Sequence, residues 1–183
     1  ITVEMAPVAG ISPDLDGFLF DAAATLRALG DHAGIDTTAA TVARRLRDMT
    51  GYDRVMVMRF DPQGHGEVIA ESKAPAAGPA LLGLHLPADE MPASARAMAL
   101  QNPVRMIYDL TAVPVLIVSA AGPGRGAKLD LTDAILRAPP PGQIRLLAGF
   151  GARAAMIMSL VCDRRLWGLI VFLHHAPRRL SLP

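Results

Sequence analysis

The hydrophobic pattern opens with a helical period. Leu15, Leu19, Leu26 and Leu29 recur at near-helical spacing, so residues 14–29 are expected to form a helix that Gly30 ends. "TTAATVARRLRDMTG" repeats that period, with Asp36 or Thr37 as N-cap and Gly51 as the stop. The period then drops to two. "YDRVMVMRF" alternates as a strand, setting Met56 and Met58 on one face and Val55 and Val57 on the other. "GHGEVIAES" reads as its hairpin partner across the turn "DPQG". A helix from about Pro92 to Leu100 leads into the strand "VRMIYDL", and a Pro- and Gly-rich segment over 111–128 forms a long loop. "LDLTDAILR" is a short helical stretch, and "PPPGQIRLLAGFG" starts a helix at proline and stops it at glycine. The last run, "AAMIMSLVCDRRLWGLIVFLHH", holds two strands meeting at "DRR". In the first, Ala155, Ile157 and Ser159 share a face; in the second, Trp167, Leu169, Val171 and Leu173 do. Strands joined by hairpins, with helices at the start and in the crossovers, give an α+β domain: a central antiparallel sheet flanked by helices.

Composition narrows the class. A chain of 183 residues, 51% of them apolar, makes one domain with a sizeable core. Eighteen basic and seventeen acidic residues leave a formal charge of +1, without the footprint of a nucleic-acid or polybasic membrane binder. No apolar run has the length of a membrane span and the start has no signal-peptide pattern, so a cytoplasmic protein is expected. The single cysteine, Cys162, allows neither an intramolecular disulfide nor a Cys-rich metal site. The chain runs from Ile1 to Pro183 without an initial methionine, and excision from a longer protein is expected.

Candidate chemistry is sparse. The glycines of "VLIVSAAGPGRGAKLDL" have the spacing G-x-G-x-G with Pro123 inside, unlike a dinucleotide loop. His65 has no second histidine at metal spacing, and His174 and His175, adjacent in a strand, are expected to face opposite ways, so no metal site is expected. Cys162 sits in a strand as an inert thiol. Asp89 and Glu90, in "HLPADEMPASAR", are acids placed before a helix start, where its positive end favours them. Acid–base catalysis by the pair needs further partners around an open cavity.

Taken together, "TGYDRVMVMRFDPQGHGEVIAE", "LGLHLPADEMPASAR", "LDLTDAILR" and "LWGLIVFLHHAP" closely resemble the chromophore-binding GAF domain of bacteriophytochromes, over about residues 37–178. The resemblance implies residues 1–13 as a linker from an upstream PAS domain, 14–178 as the GAF domain, and 179–183 as the start of a linker to a downstream signalling domain. It also implies a cleft for a bilin, and each part of that cleft has a counterpart here. The turn that faces the pyrrole nitrogens reads "PADEMP", where Glu90 keeps the family's charge and Asp89 crowds in a second. The histidine beside the central rings corresponds to Gln143, which hydrogen-bonds but does not titrate, and the histidine at the outermost ring to Leu173. Two pocket serines correspond to Ala155 and Ile157, and three aromatic wall positions to Met58, Leu86 and Leu146. These changes all run from polar or aromatic to aliphatic, so Met58, Leu86, Leu146 and Leu173 are expected to converge and fill the cleft.

Arg105 and Arg137 correspond to two arginines that bind bilin propionates in the family. They either grip an anion or pair with Asp89, Glu90 or Asp109. The plant-type attachment cysteine is replaced within Gly142-Gln143, Cys162 lies in the wrong strand, and bacterial members take their thiol from a segment before the PAS domain. No cofactor is therefore expected. The expected function is a sensory or regulatory GAF domain that has lost covalent bilin binding and red/far-red photochemistry. The alternative is noncovalent binding of biliverdin or another elongated anion. The domain is not expected to be an enzyme; a homodimer through the 14–29 helix is expected, with no nucleic acid or membrane partner.

Overall fold

The computed structural model describes residues 34–115 and 137–178. The expected linker over 1–13, the helix over 14–29 with its dimer contact, most of the 111–128 loop, "LDLTDAILR" except Arg137, and the final linker lie outside the described residues. Within them the order is α1 (Ile35–Thr50), β1 (Arg54–Phe60), β2 (Gly66–Lys73), β3 (His85–Leu86), a 3₁₀ turn (Ala88–Glu90), α2 (Ala93–Gln101), β4 (Val104–Ile107), α3 (Pro141–Gly149), β5 (Ala154–Cys162) and β6 (Arg165–His174). The strands form one antiparallel sheet in the order β3-β2-β1-β6-β5-β4. No helix among the described residues is long and apolar enough to cross a membrane.

Helix α1 stops where expected: Gly51 takes a left-handed conformation (φ 63°) and its N–H reaches the Arg47 carbonyl at 2.8 Å. Its start differs. Gly34, in extended backbone, is the N-cap, and Asp36 and Thr37 lie inside the first turn. The apolar Ile35 already belongs to the helix, which moves the boundary one step back. Ala39 and Ala43, one turn apart, are buried against the sheet, and their small size lets the helix lie close over β1 and β2.

The alternation of β1 divides the core as expected. Met56 and Met58 belong to one apolar cluster, with Leu169, Val171 and Leu173. Val55 and Val57 belong to another, with Ala39, Ala43 and Phe172. Two bulges correct the simple alternation elsewhere. In β2, Ile69 is the extra residue between the pairs Val57↔Ala70 and Met58↔Val68, so Val68 and Ala70 face opposite sides. In β6, Trp167 is the extra residue between Leu160↔Gly168 and Val161↔Leu166. Trp167 therefore packs on the α1 side and Leu166 on the Leu169 side, the reverse of the face expected for Trp167. The β5–β6 turn is the two-residue Asp163-Arg164, both at positive φ (49° and 60°) as a tight hairpin requires.

One charge lies inside this apolar frame. Arg54 Nη1 is 2.9 Å from Glu71 Oε1, with both side chains at most 5% exposed. Glu71 accepts the Leu81 and Leu82 N–H groups, and Arg54 donates to the carbonyls of Ala77 and Pro79. The pair thus fastens the loop between β2 and β3 to the sheet.

Removing one partner leaves the other buried and unopposed. Arg54→Met is expected to lower folding stability by about 3–5 kcal/mol in urea denaturation, and Arg54→Met/Glu71→Met to lose less than the sum of the single changes. At Gly168 an added Cβ meets the Met58 carbonyl oxygen at 2.2 Å, a backbone atom fixed by the β1–β6 ladder. Gly168→Ala is expected to cost about 2 kcal/mol or more in the same measurement.

Candidate functional site

The cluster around Met56 and Met58 does not close on itself. Between this face of the sheet, the acidic turn, α2 and α3 lies a cavity of about 630 Å³. Its floor is Met56, Met58, Val68, Ile157, Ser159, Leu169 and Val171; its walls include Leu86, Leu146, Leu147 and Phe150. Met58, Leu86 and Leu146 are therefore on the wall, but they do not fill it, contrary to the expectation of a closed cleft. The reason lies in α2, whose contributions include Ser94, Ala95 and Ala99, too small to reach across. The short "ASARAMA" run carried that signal in the sequence. Ser159 holds this helix to the sheet, donating from Oγ to the Ala99 carbonyl at 2.8 Å.

Ala155 and Leu173 do not line the cavity. They pair with each other at the end of the sheet where Arg54 begins β1, a step beyond Val171, and are buried in the core. Leu173 instead borders a second cavity of about 540 Å³, together with Asp53, Ala77, Gly149, Ala152, His174 and His175. Gln143, from the first turn of α3, does reach the main cavity. Cys162 is exposed at the end of β5 and is not on its wall.

Asp89 and Glu90 sit at the mouth, exposed, in the 3₁₀ turn between Pro87 and Pro92. Two contacts hold that turn: the Ala88 N–H donates to His65 Nδ1 at 3.2 Å, and Arg96 Nη1 donates to the Met91 carbonyl at 2.7 Å. His65 therefore acts as a buttress between the β1–β2 turn and the acidic turn.

Arg105 and Arg137 line the cavity together, with Gln143. Strand β4 sets Arg105 opposite Ile157, on the cavity face of the sheet. Its Nη2 donates to the Ala138 carbonyl at 3.3 Å, while its Nε is buried without a hydrogen-bond partner. Burial, and then the neighbouring Arg137 charge, push the Arg105 pKa below its ordinary value. The expected pairing with acids is not found: among the described residues neither guanidinium forms an ion pair with a carboxylate. Asp109 is committed elsewhere, accepting from Thr111 at 2.7 Å and lying 3.3 Å from Arg153. Two like charges thus share one wall, with no ion pair to a carboxylate among the described residues.

The two adjacent histidines also depart from expectation. Strand β6 ends at His174 and the chain bends at His175, so the rings do not diverge: their centroids are 4.8 Å apart and both Nδ1 atoms approach Asp53.

Comparison with known proteins agrees with this architecture. Residues 34–182 match the GAF domain family. The chain is 41% identical over 163 residues to a bacteriophytochrome of Xanthomonas campestris pv. campestris, covering 89% of this chain and 26% of that protein. It is 38% identical over 162 residues to the phytochrome-like protein Cph1 of Synechocystis, covering 88% and 22%. The chain thus spans about a quarter of the length of these curated relatives. Among solved structures, the chromophore-binding domain of an unusual bacteriophytochrome, RpBphP3 from R. palustris, superposes with a TM-score of 0.84 at 34% identity, over 92% of this chain and 56% of that one. The wild-type chromophore-binding domain of Stigmatella aurantiaca phytochrome P1 gives 0.84 at 32% identity, over 94% and 56%. The sheet order, the helices upon it and the extent of these matches agree: the chain belongs to the GAF domain family, in the form that phytochromes carry.

Proposed function

We propose that this domain is the sensory module of a phytochrome-like signalling protein and that its cavity takes an elongated, carboxylate-bearing ligand noncovalently, with a linear tetrapyrrole such as biliverdin as first candidate. The observation that carries this reading is the pair of guanidiniums, Arg105 and Arg137, on the wall of a cavity of about 630 Å³, neither of them ion-paired with a carboxylate among the described residues. That volume lies in the range of about 300–1,000 Å³ common for small-ligand pockets, and the mix of apolar floor and few polar groups fits as well. An anion between the arginines would relieve their mutual repulsion and satisfy the buried Arg105 Nε. Asp89 and Glu90 at the mouth suit a ligand whose other atoms carry protonated nitrogen. The open volume favours this reading over a cleft filled by its own side chains.

A bound linear tetrapyrrole would supply a conjugated system that absorbs visible light. The chain's own residues would supply charge and enclosure, but not attachment, because Cys162 is on the outside. Gln143 stands where the family carries a titratable ring, and no histidine among the described residues lines the cavity. We therefore infer that covalent attachment through this chain's own thiol and the family's red/far-red photochemistry have been lost. A GAF sensor domain is not itself catalytic. The reading places this one in a cytoplasmic homodimer, with an upstream PAS domain and a downstream signalling domain in the parent protein.

Titration of the purified chain with biliverdin tests the reading. A red absorption band is expected, without zinc-induced fluorescence after denaturing electrophoresis. Arg105→Ala/Arg137→Ala is expected to weaken binding at least tenfold, about 1.4 kcal/mol. Absence of any band, or equal affinity in the double variant, sinks the proposal. Gln143→His/Leu173→His is expected to bind without a reversible colour change, since Leu173 does not face the main cavity; photoreversal in that variant overturns the inferred loss of photochemistry.

A further inference from the structure

Three potential ligand atoms meet at the end of the sheet away from the main cavity. Asp53 lies between α1 and β1, and the bend after β6 turns both histidines toward it. Asp53 Oδ2 is 2.6 Å from His174 Nδ1 and 2.5 Å from His175 Nδ1, and the three ligand atoms lie within 4.8 Å of one another. The His175 backbone N–H donates to the same carboxylate oxygen at 2.9 Å, which fixes its direction. His174 Nδ1 is shielded from solvent and has no partner in hydrogen-bonding geometry.

This convergence places two ring nitrogens and a carboxylate oxygen around one point. His175 Nδ1 stands in hydrogen-bonding geometry to the carboxylate, its N–H donating where the proton is on that nitrogen; a metal ion would replace that proton, since without it all three atoms are acceptors.

We propose that Asp53, His174 and His175 form a binding site for a divalent transition-metal ion, zinc foremost. Two imidazoles and one carboxylate are a common zinc donor set, with water completing four-coordination at bond lengths of about 2.0–2.2 Å. Tetrahedral bonds of that length separate neighbouring ligand atoms by about 3.3 Å, so the present contacts must open slightly. His175, with its side chain 75% exposed, has room to swing outward. The nearby Arg178, which stacks over Tyr52 at 5.2 Å, sets a limit on affinity by repulsion. A metal held here would tie the start of β1 to the end of β6 and would face the second cavity, which all three ligands line.

The test uses the untagged 183-residue chain and Zn²⁺ alone, followed by calorimetry and by competition with a chromogenic chelator. One saturable equivalent is expected, with a rise in the thermal midpoint as Zn²⁺ is added. Co²⁺ is expected to give the visible absorption of a four-coordinate site. His175→Ala, at an exposed position, is expected to weaken Zn²⁺ binding at least tenfold while leaving the metal-free circular dichroism unchanged; His174→Gln tests the second ligand. Absence of saturable binding overturns the proposal, as does binding that survives both substitutions and is therefore held by His65, His85 or Cys162.

Discussion

A sheet whose two faces are both covered must present apolar side chains in both directions along its central strands. That constraint governs this domain. β1 meets it by strict alternation, methionines toward the cavity and valines toward α1, and β6 meets it with a bulge near its start that realigns Leu166 and Trp167. The Arg54–Glu71 pair is tolerated within the frame only because both ions also bind backbone groups of one loop. Burial of the pair costs desolvation, and it contributes position more than stability: the loop it anchors leads directly into β3 and the acidic turn.

The cavity follows from unequal filling of the two faces. Toward α1, alanines let a long helix settle closely onto the sheet. On the other side lie two short helices of nine residues each, the first carrying Ser94, Ala95 and Ala99 inward, and the sheet's methionines do not span the gap. Around this apolar space the charges are sorted by location, acids at the exposed mouth and arginines on the wall. Among the described residues neither arginine forms an ion pair with a carboxylate, so the two like charges on this wall are not neutralised there.

Much of the fold was legible in the sequence because the periods are clean. The hairpin of β1 and β2, the β5–β6 hairpin, the span of α3 and the faces of Met56 and Met58 all follow from spacing and turn residues. The helix start at Gly34 and the two bulges were not, since a bulge is a property of paired strands and leaves no mark in either strand alone. In the site, Glu90, Arg105, Arg137, Gln143, Met58, Leu86, Leu146 and Ile157 all line one cavity. That the cleft stays open was signalled only by the small residues of "ASARAMA", because whether side chains fill a cleft also depends on how far its walls stand apart. Ala155 and Leu173 fell outside for a related reason, being past the end of the floor. The approach of His174 and His175 to one carboxylate depends on a bend of a single residue after a strand.

The bulge at Trp167 has an optical consequence. It turns the chain's single indole away from the cavity and into the cluster beneath α1. Its emission is thereby sensitive to the packing of the helical side, while an occupant of the opposite face acts on it only through the thickness of the sheet. Nature has left one lamp in this domain, and it illuminates the wall behind the room.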